Sequence, residues 1–191
     1  MNINPISFGS RIPLGRCQIF DNQQNRFVGA TFFEYDCKDL DDIHEVGHTK
    51  GDVDCKGSIL EEMYYKYANN GNSNYSFYSL RSDCGDVVGI CSTLNEDKNK
   101  QVEYITSSLD GKYKYVGQAM LASLAQNTLN SNKTKLTIHD SIASAWDFYE
   151  KVCGFRAVPN CSNLEMNRYE MYKFVQQTQN RTQGKIIDFG I

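Results

Sequence analysis

The chain has 191 residues, 40% of them hydrophobic and 23% charged, with a formal net charge of -3. That is enough apolar material for one domain with a substantial core; it excludes disorder over the whole length, and the mildly acidic balance gives no electrostatic support to a nucleic-acid surface. Seven cysteines, odd in number and never spaced C-x-x-C, predict reduced thiols rather than a disulfide framework or zinc knuckle, and with no signal-peptide core and no run of roughly twenty apolar residues the expectation is a soluble, cytoplasmic protein without membrane contact.

In chain order, residues 1–15, rich in Asn, Ser, Gly and Pro, read as an irregular lead-in. Arg16 to Phe20 and Phe27 to Tyr35 flank Asp21-Asn22-Gln23-Gln24-Asn25 and predict a hairpin. The stretch from Asp36 to Asp54 is rich in aspartate, with a short helical piece over Leu40 to Val46. Its carboxylates read as a solvated face, and one that would steer a cationic substrate if it bordered a groove. Ile59, Leu60, Met63, Tyr64 and Tyr67 mark an amphipathic helix ended by Asn69-Asn70-Gly71. Tyr75 to Arg81 and Val87 to Leu94 predict a second hairpin around Ser82-Asp83-Cys84-Gly85-Asp86.

Gln101 to Ser108 reads as a strand, with Val102, Tyr104 and Thr106 alternating with Glu103, Ile105 and Ser107. Asp110-Gly111 ends it. From about Tyr115 the period lengthens: Val116, Met120 and Leu124 recur every four residues, widened by Leu121, Ala125 and Leu129, which predicts an amphipathic helix beginning between Tyr115 and Gly117. The first N–H groups of such a helix have no intrahelical partner and the macrodipole is positive there, so an anion is welcome, and Lys112 and Lys114 add two cations. Lys135 to His139 predicts a short strand. Ser141 to Cys153 predicts a second helix whose Ile142, Trp146, Tyr149 and Cys153 share a face, closed by Gly154. Phe155 to Val158 and Tyr169 to Val175 read as two last strands around a polar loop. The expected architecture is α+β, a mixed, mostly antiparallel twisted sheet of six to seven strands with helices on both faces. One domain is expected over residues 16–178, followed by a tail at 179–191.

Two segments carry a resemblance. Lys112-Tyr113-Lys114-Tyr115-Val116-Gly117, followed by Gln118-Ala119-Met120-Leu121, is similar to the Q/R-x-x-G-x-G/A motif with which GNAT acyltransferases cradle the pyrophosphate of acetyl-CoA. Lys112 stands where Arg or Gln is usual, and Tyr115 replaces the first glycine; the register Lys114-x-x-Gly117-x-Ala119 also fits the bare pattern. Ala145 to Phe155 resembles the family segment A-x-x-(L/F)-Y-E-K-x-G-F, with one extra residue between Tyr149 and Gly154. That insertion predicts either a bulged helix end or a Tyr149 turned away. The resemblance implies an enzyme that uses acetyl-CoA as co-substrate, needs no metal and acetylates a primary amine, a small molecule or a peptide. It implies that Lys112, Lys114, Tyr115, Val116, Gly117, Gln118 and Ala119 hold the pyrophosphate, and that Ile105, Thr106 and Ser107 offer a backbone edge to the pantetheine arm. It assigns Tyr149 as general acid, and Glu103 could relay a proton from the ammonium. A phenol with a pKa of about 10 is competent to protonate a thiolate whose own value is about 8.5. The sequence leaves the oligomeric state open, a homodimer included.

Each residue also has a plainer reading. Gly117 can be a turn glycine, Tyr149 a core aromatic, Glu103 a solvated strand carboxylate, and His139 a structural residue at a strand end. Two further functions stand beside the first. His44-Glu45-Val46-Gly47-His48, extended by Gly51 and Asp54, spells H-E-x-x-H-x-x-G-x-x-D and resembles a zinc-peptidase signature, with two ligands one helical turn apart and Glu45 beside them. Against it, Gly47, Gly51 and Asp52 loosen that helix. The other function is a catalytically silent acyl-CoA-binding module, suggested by the Tyr115 substitution and the spacing before Gly154.

Overall fold

The computed structural model describes residues 11–35, 74–107, 111–141 and 143–188. The expected helices at Leu40 to Val46 and Ile59 to Tyr67, the His44-Glu45-x-x-His48 motif and the aspartate cluster between Asp36 and Asp54 lie outside the described residues.

Both expected hairpins are present. β1 (Arg11–Asp21) pairs antiparallel with β2 (Arg26–Tyr35), and β3 (Tyr75–Ser82) with β4 (Val87–Asn95). β5 (Asn99–Ser107) continues the antiparallel run against β4, and β6 (Tyr113–Lys114) is a two-residue strand pinned to the end of β1. Helix α1 (Val116–Asn130) leads to β7 (Lys135–Ile138), which lies parallel to β5. A single 3-10 turn (Ala143–Ala145) and a turn of π-helix (Phe148–Cys153) precede β8 (Arg156–Ala157) and β9 (Leu164–Asn167). Helix α2 (Arg168–Thr182) and β10 (Ile187–Asp188) complete the described chain. The strands form one sheet in the order β10-β1-β2-β3-β4-β5-β7-β9-β8, with β6 beside β1. It is mixed and mostly antiparallel, as expected, and the excess over six to seven strands comes from the two-residue β6, β8 and β10.

Consecutive residues are buried along β3 and β4, so these central strands are covered on both faces, with the small polar Ser79, Ser92 and Thr93 buried among their apolar residues. α1 is buried over most of its circumference, from Val116 to Ala125, which is broader than a single stripe, because it lies between the sheet and α2. It crosses the sheet at Gly89 of β4. A Cβ there would stand 2.2 Å from Met120 Sδ and 3.2 Å from the Thr106 carbonyl, so only glycine permits this depth of contact. Gly89 is paired with Ser107, the last residue of β5. The close approach therefore brings the start of α1 to the end of β5.

The segment read as a strand over Tyr169 to Val175 is helical. Asn167 accepts from the Glu170 N–H while the Glu170 carboxylate accepts from the Asn167 N–H, a reciprocal cap, and Met171, Phe174, Val175, Thr178 and Thr182 then fall on one buried face. A residue pattern of 3.6 overrode the local β propensity of its tyrosines and valine. The segments read as lead-in and tail also carry strand, since β1 begins at Arg11 and β10 pairs with Gly15 and Arg16.

Candidate active site

β7 accompanies β5 only from Asn99 to Val102, and the last link is the His139 N–H to the Val102 carbonyl at 3.0 Å. β5 then runs on to Ser107 while β7 stops, so from Glu103 onward one edge of β5 has no ladder partner among the described residues. The two strands part like the arms of a V. Opposite β4 the register slips between Ser92 and Thr93, which face Tyr104 and Val102, leaving Glu103 as an extra, unpaired residue. This bulge breaks the alternation expected for β5. Glu103, Tyr104 and Ile105 all border one cavity at this point of the strand.

Two cavities occupy the crevice, and Tyr149 and Ile105 border both. The larger, about 420 Å³, is bounded by Ile105, Thr106 and Ser107 of β5, by Tyr113, by Tyr115 to Gln118 at the start of α1, and by Phe148 and Tyr149. Tyr115 precedes the first residue of α1 at φ 67°, in the left-handed region that a glycine would occupy without cost. The backbone course is kept at an expense of about 1–2 kcal/mol. Its ring does not lie free: it stacks on Phe27 with centroids 6.2 Å apart and planes at 20°. Beyond it, helical geometry leaves the N–H groups of Val116, Gly117 and Gln118 without intrahelical acceptors. The Ala119 N–H, by contrast, donates to the Tyr115 carbonyl at 2.8 Å.

Lys112 and Lys114 do not border this cavity. Lys112 Nζ donates to Asp86 Oδ2 at 2.6 Å, an acceptor it shares with the Tyr113 hydroxyl at 2.7 Å, and its pKa is raised by these hydrogen bonds. Lys114 Nζ stands over the Phe20 ring at 6.0 Å. Pairing of β6 with the end of β1 fixes both side chains there, a constraint that sequence proximity to the helix start could not show. Of the expected pyrophosphate ligands, Tyr115, Val116, Gly117 and Gln118 gather at the cavity, while Lys112, Lys114 and the Ala119 N–H are engaged elsewhere.

Tyr149 owes its place to the extra residue before Gly154. The chain absorbs the insertion as a turn of π-helix, so Phe155 N–H reaches back to the Tyr149 carbonyl at 3.0 Å and Gly154 N–H to Glu150 at 3.2 Å. This closing loop is one residue longer than the usual helix-terminating motif. Gly154 adopts φ 82°, and the Phe155 ring then packs edge-on against Tyr149, centroids 6.1 Å apart. Tyr149 is only 8% exposed, and burial raises its pKa, so the phenol stays protonated at neutral pH. Of the two outcomes left open by the sequence, the bulged helix end is the one found. Cys153 beside it is 1% exposed, its thiol pushed up to about 12 by burial, and so is no nucleophile.

The second cavity, about 160 Å³, also reaches Tyr149. Glu103 borders it, its side chain 13% exposed, with Oε1 accepting from Gln101 Nε2 at 2.5 Å and Oε2 facing His139 Nδ1 at 3.6 Å. His139 follows β7 directly; its side chain is 42% exposed and borders the cavity with Asp140 and Ser141. Sequence reasoning missed Gln101, Phe148 and this placement of His139. The i, i+2 spacing of Gln101 and Glu103 was the available signal. Among the described residues no group of three or more His, Cys, Asp or Glu side chains is placed to hold a metal ion.

No family model matches the chain, and no curated protein matches it in sequence. Solved structures match it in shape. A spermidine N-acetyltransferase from Vibrio cholerae in complex with CoA and spermine aligns with a TM-score of 0.53 over 75% of this chain and 98% of that one, at 14% identity. AtaTR bound with AcCoA gives 0.55 over 75% and 96%, at 12% identity, and the PaiA N-acetyltransferase from Thermoplasma acidophilum in complex with coenzyme A gives 0.51 over 72% and 98%, at 14%. The fold is that of the GNAT acetyltransferases. Three of these solved structures hold CoA or AcCoA.

Proposed function

We propose that this chain is an N-acetyltransferase that moves an acetyl group from acetyl-CoA to a primary amine by direct attack, in a cytoplasmic setting that suits its free buried thiols Cys17, Cys91 and Cys153. The observation that carries the reading is the crevice itself: the unpaired edge of β5 ends at the open amides of α1, and a protonated phenol borders both cavities it encloses.

The residues present fit the coenzyme. The N–H groups of Val116, Gly117 and Gln118, with the dipole of α1 behind them, would hold its diphosphate. Main-chain groups of Ile105, Thr106 and Ser107 would pair with its amide-bearing arm in the manner of an added strand. When bound, the coenzyme supplies an activated acyl thioester. Glu103 accepts a proton from the incoming ammonium, directly or through water, which frees the nitrogen lone pair. Tyr149 Oη holds a proton ready for the departing sulfur, and burial keeps that proton in place. Holding amine and thioester together contributes through lost translational freedom.

Two measurements test the proposal. Acetyl-CoA at about a hundred times its dissociation constant should stabilise the fold by about 2.7 kcal/mol, a rise of several degrees in melting temperature. Incubation with acetyl-CoA and pooled amines should release free thiol. A melting temperature that ignores acetyl-CoA would end the reading.

A further inference from the structure

Tyr115 holds a conformation that its own side chain makes costly. At φ 67° and ψ 9° it stands in the left-handed region, where a glycine would fit without strain and a bulky residue is an outlier. Strain kept at the rim of a cavity is a reason to ask what the side chain does there. The ring is not needed for the core: Tyr115, Phe20 and Phe27 are all half-buried, and none of the three is among the side chains of the hydrophobic core or those packed against it. They form a row of their own instead. Phe20 and Phe27, directly paired across the β1–β2 hairpin, meet edge to face at 5.2 Å, and Phe27 then backs the Tyr115 ring in the near-parallel stack. Phe27 covers one face of that ring, while Tyr115 itself borders the larger cavity immediately before the open amides of Val116, Gly117 and Gln118. At the far end of the row the exposed Lys114 holds its ammonium over Phe20 at 6.0 Å. An aromatic face, a surface cation and the positive end of a helix lie together here, which suits a phosphorylated nucleoside, since every base has a π-face that stacks on an aromatic ring.

We propose that Tyr115, propped by Phe27, is the platform on which the purine of the coenzyme stacks, so that this chain selects an acyl carrier bearing a nucleotide over one whose phosphopantetheine is attached to a protein. That role rests on the acetyltransferase reading for the place of the diphosphate, and it extends the reading from a backbone cradle to the side chain that stands where the resembling motif has glycine. A nucleoside is joined directly to its diphosphate, so a diphosphate on the amides of Val116 to Gln118 brings the base to the residue that precedes them. With glycine at position 115 the backbone would still hold the diphosphate and the arm, and the base would have no ring to lie on.

The experiment measures three ligands by calorimetry on the full chain, as parent, Tyr115→Gly and Tyr115→Phe: coenzyme A, free phosphopantetheine, which has no nucleotide, and adenosine 3′,5′-bisphosphate, which has no arm. Tyr115→Gly should weaken coenzyme A and the bisphosphate by about tenfold each, the worth of one stacked base, and change phosphopantetheine by less than about twofold. Tyr115→Phe keeps the aromatic face and should bind all three as the parent does. Because glycine takes φ 67° without strain, Tyr115→Gly should melt within a few degrees of the parent, which separates a weaker coenzyme from a folding defect. Equal coenzyme A affinity in the parent and Tyr115→Gly, a loss shared by phosphopantetheine, or a loss in Tyr115→Phe as large as in the glycine variant would overturn the platform and leave the acetyltransferase reading standing. Bisphosphate binding that is lost in Tyr115→Gly, in a protein that transfers no acetyl group, would keep the platform and remove the transferase. A parent that binds none of the three ligands would end both.

Discussion

Tyr149 shows how much one residue's surroundings add to its identity. In sequence it is a tyrosine at a helical spacing, as fit for a core as for a reaction. In the structure it is buried yet borders both cavities, its ring fixed by Phe148 at 5.4 Å and Phe155 at 6.1 Å. Tyr149→Phe should lower kcat by about 10²–10⁴-fold, the usual contribution of a positioned acid, and leave coenzyme A affinity unchanged by calorimetry. A variant as fast as the parent would remove the assigned acid. Glu103 was legible as a strand carboxylate with Gln101 two residues away, but His139 was not legible as its neighbour, because it follows β7 and reaches Glu103 through a parallel pairing that no short-range pattern encodes.

At the level of elements, two irregularities shape the crevice. The bulge leaves Glu103 without a partner on β4 at the cavity's edge, and the π-turn at Phe148–Cys153 takes up the extra residue before Gly154. Both are insertions that a strict period of 2 or 3.6 cannot represent. The helix start is regular and so is more predictable in effect. Gly117 bears no side chain between the open amides and the Phe148 ring, where even a Cβ would sit 3.3 Å from the ring. Gly117→Asp adds bulk there and a negative charge at the positive end of α1. Coenzyme affinity should fall by about thirtyfold or more, read by loss of the acetyl-CoA thermal shift. At the other helix, Asn167→Ala removes one half of a reciprocal cap and should cost about 1 kcal/mol, a drop of about 2–4 °C in melting temperature, with no change in coenzyme affinity. That cap, Asn167 with Glu170, was present in the sequence as a helix signal and outweighs the strand-like composition that follows it.

For the whole molecule, burial of ionisable groups sets a pH limit. Desolvation pushes Cys17 and Cys153 from an ordinary 9.0 up to about 12, the nearby Ser123 and Arg181 respectively acting weakly in the opposite sense, and it pushes the half-buried Tyr104 from 10.0 up to about 12. A folded pKa raised above its unfolded value means that the native state keeps a proton the unfolded chain releases. The associated stability is complete below about pH 9 and is lost as the pH climbs toward 12. Melting temperature should therefore be level between about pH 7 and 8 and decline steadily above pH 9, and Cys17→Ala should flatten part of that decline. A melting temperature that held steady up to pH 11 would contradict the burial of these groups.

The amino-acid order determined by itself the hairpins, the start of α1, the strand at Lys135 and the candidate phenol, because hydrophobic period, turn residues and capping chemistry act over a few neighbours. It left undecided which charges meet which. Lys112 and Lys114 were near the helix start in sequence, yet pairing of β6 with β1 carries them to Asp86 and Phe20. His139 looked like the end of a buried strand, yet the parting of β5 and β7 exposes it beside Glu103. Only the tertiary structure settles such matters, since a side chain's partner is chosen by strand register and the depth at which helix meets sheet, and both depend on residues far apart along the chain.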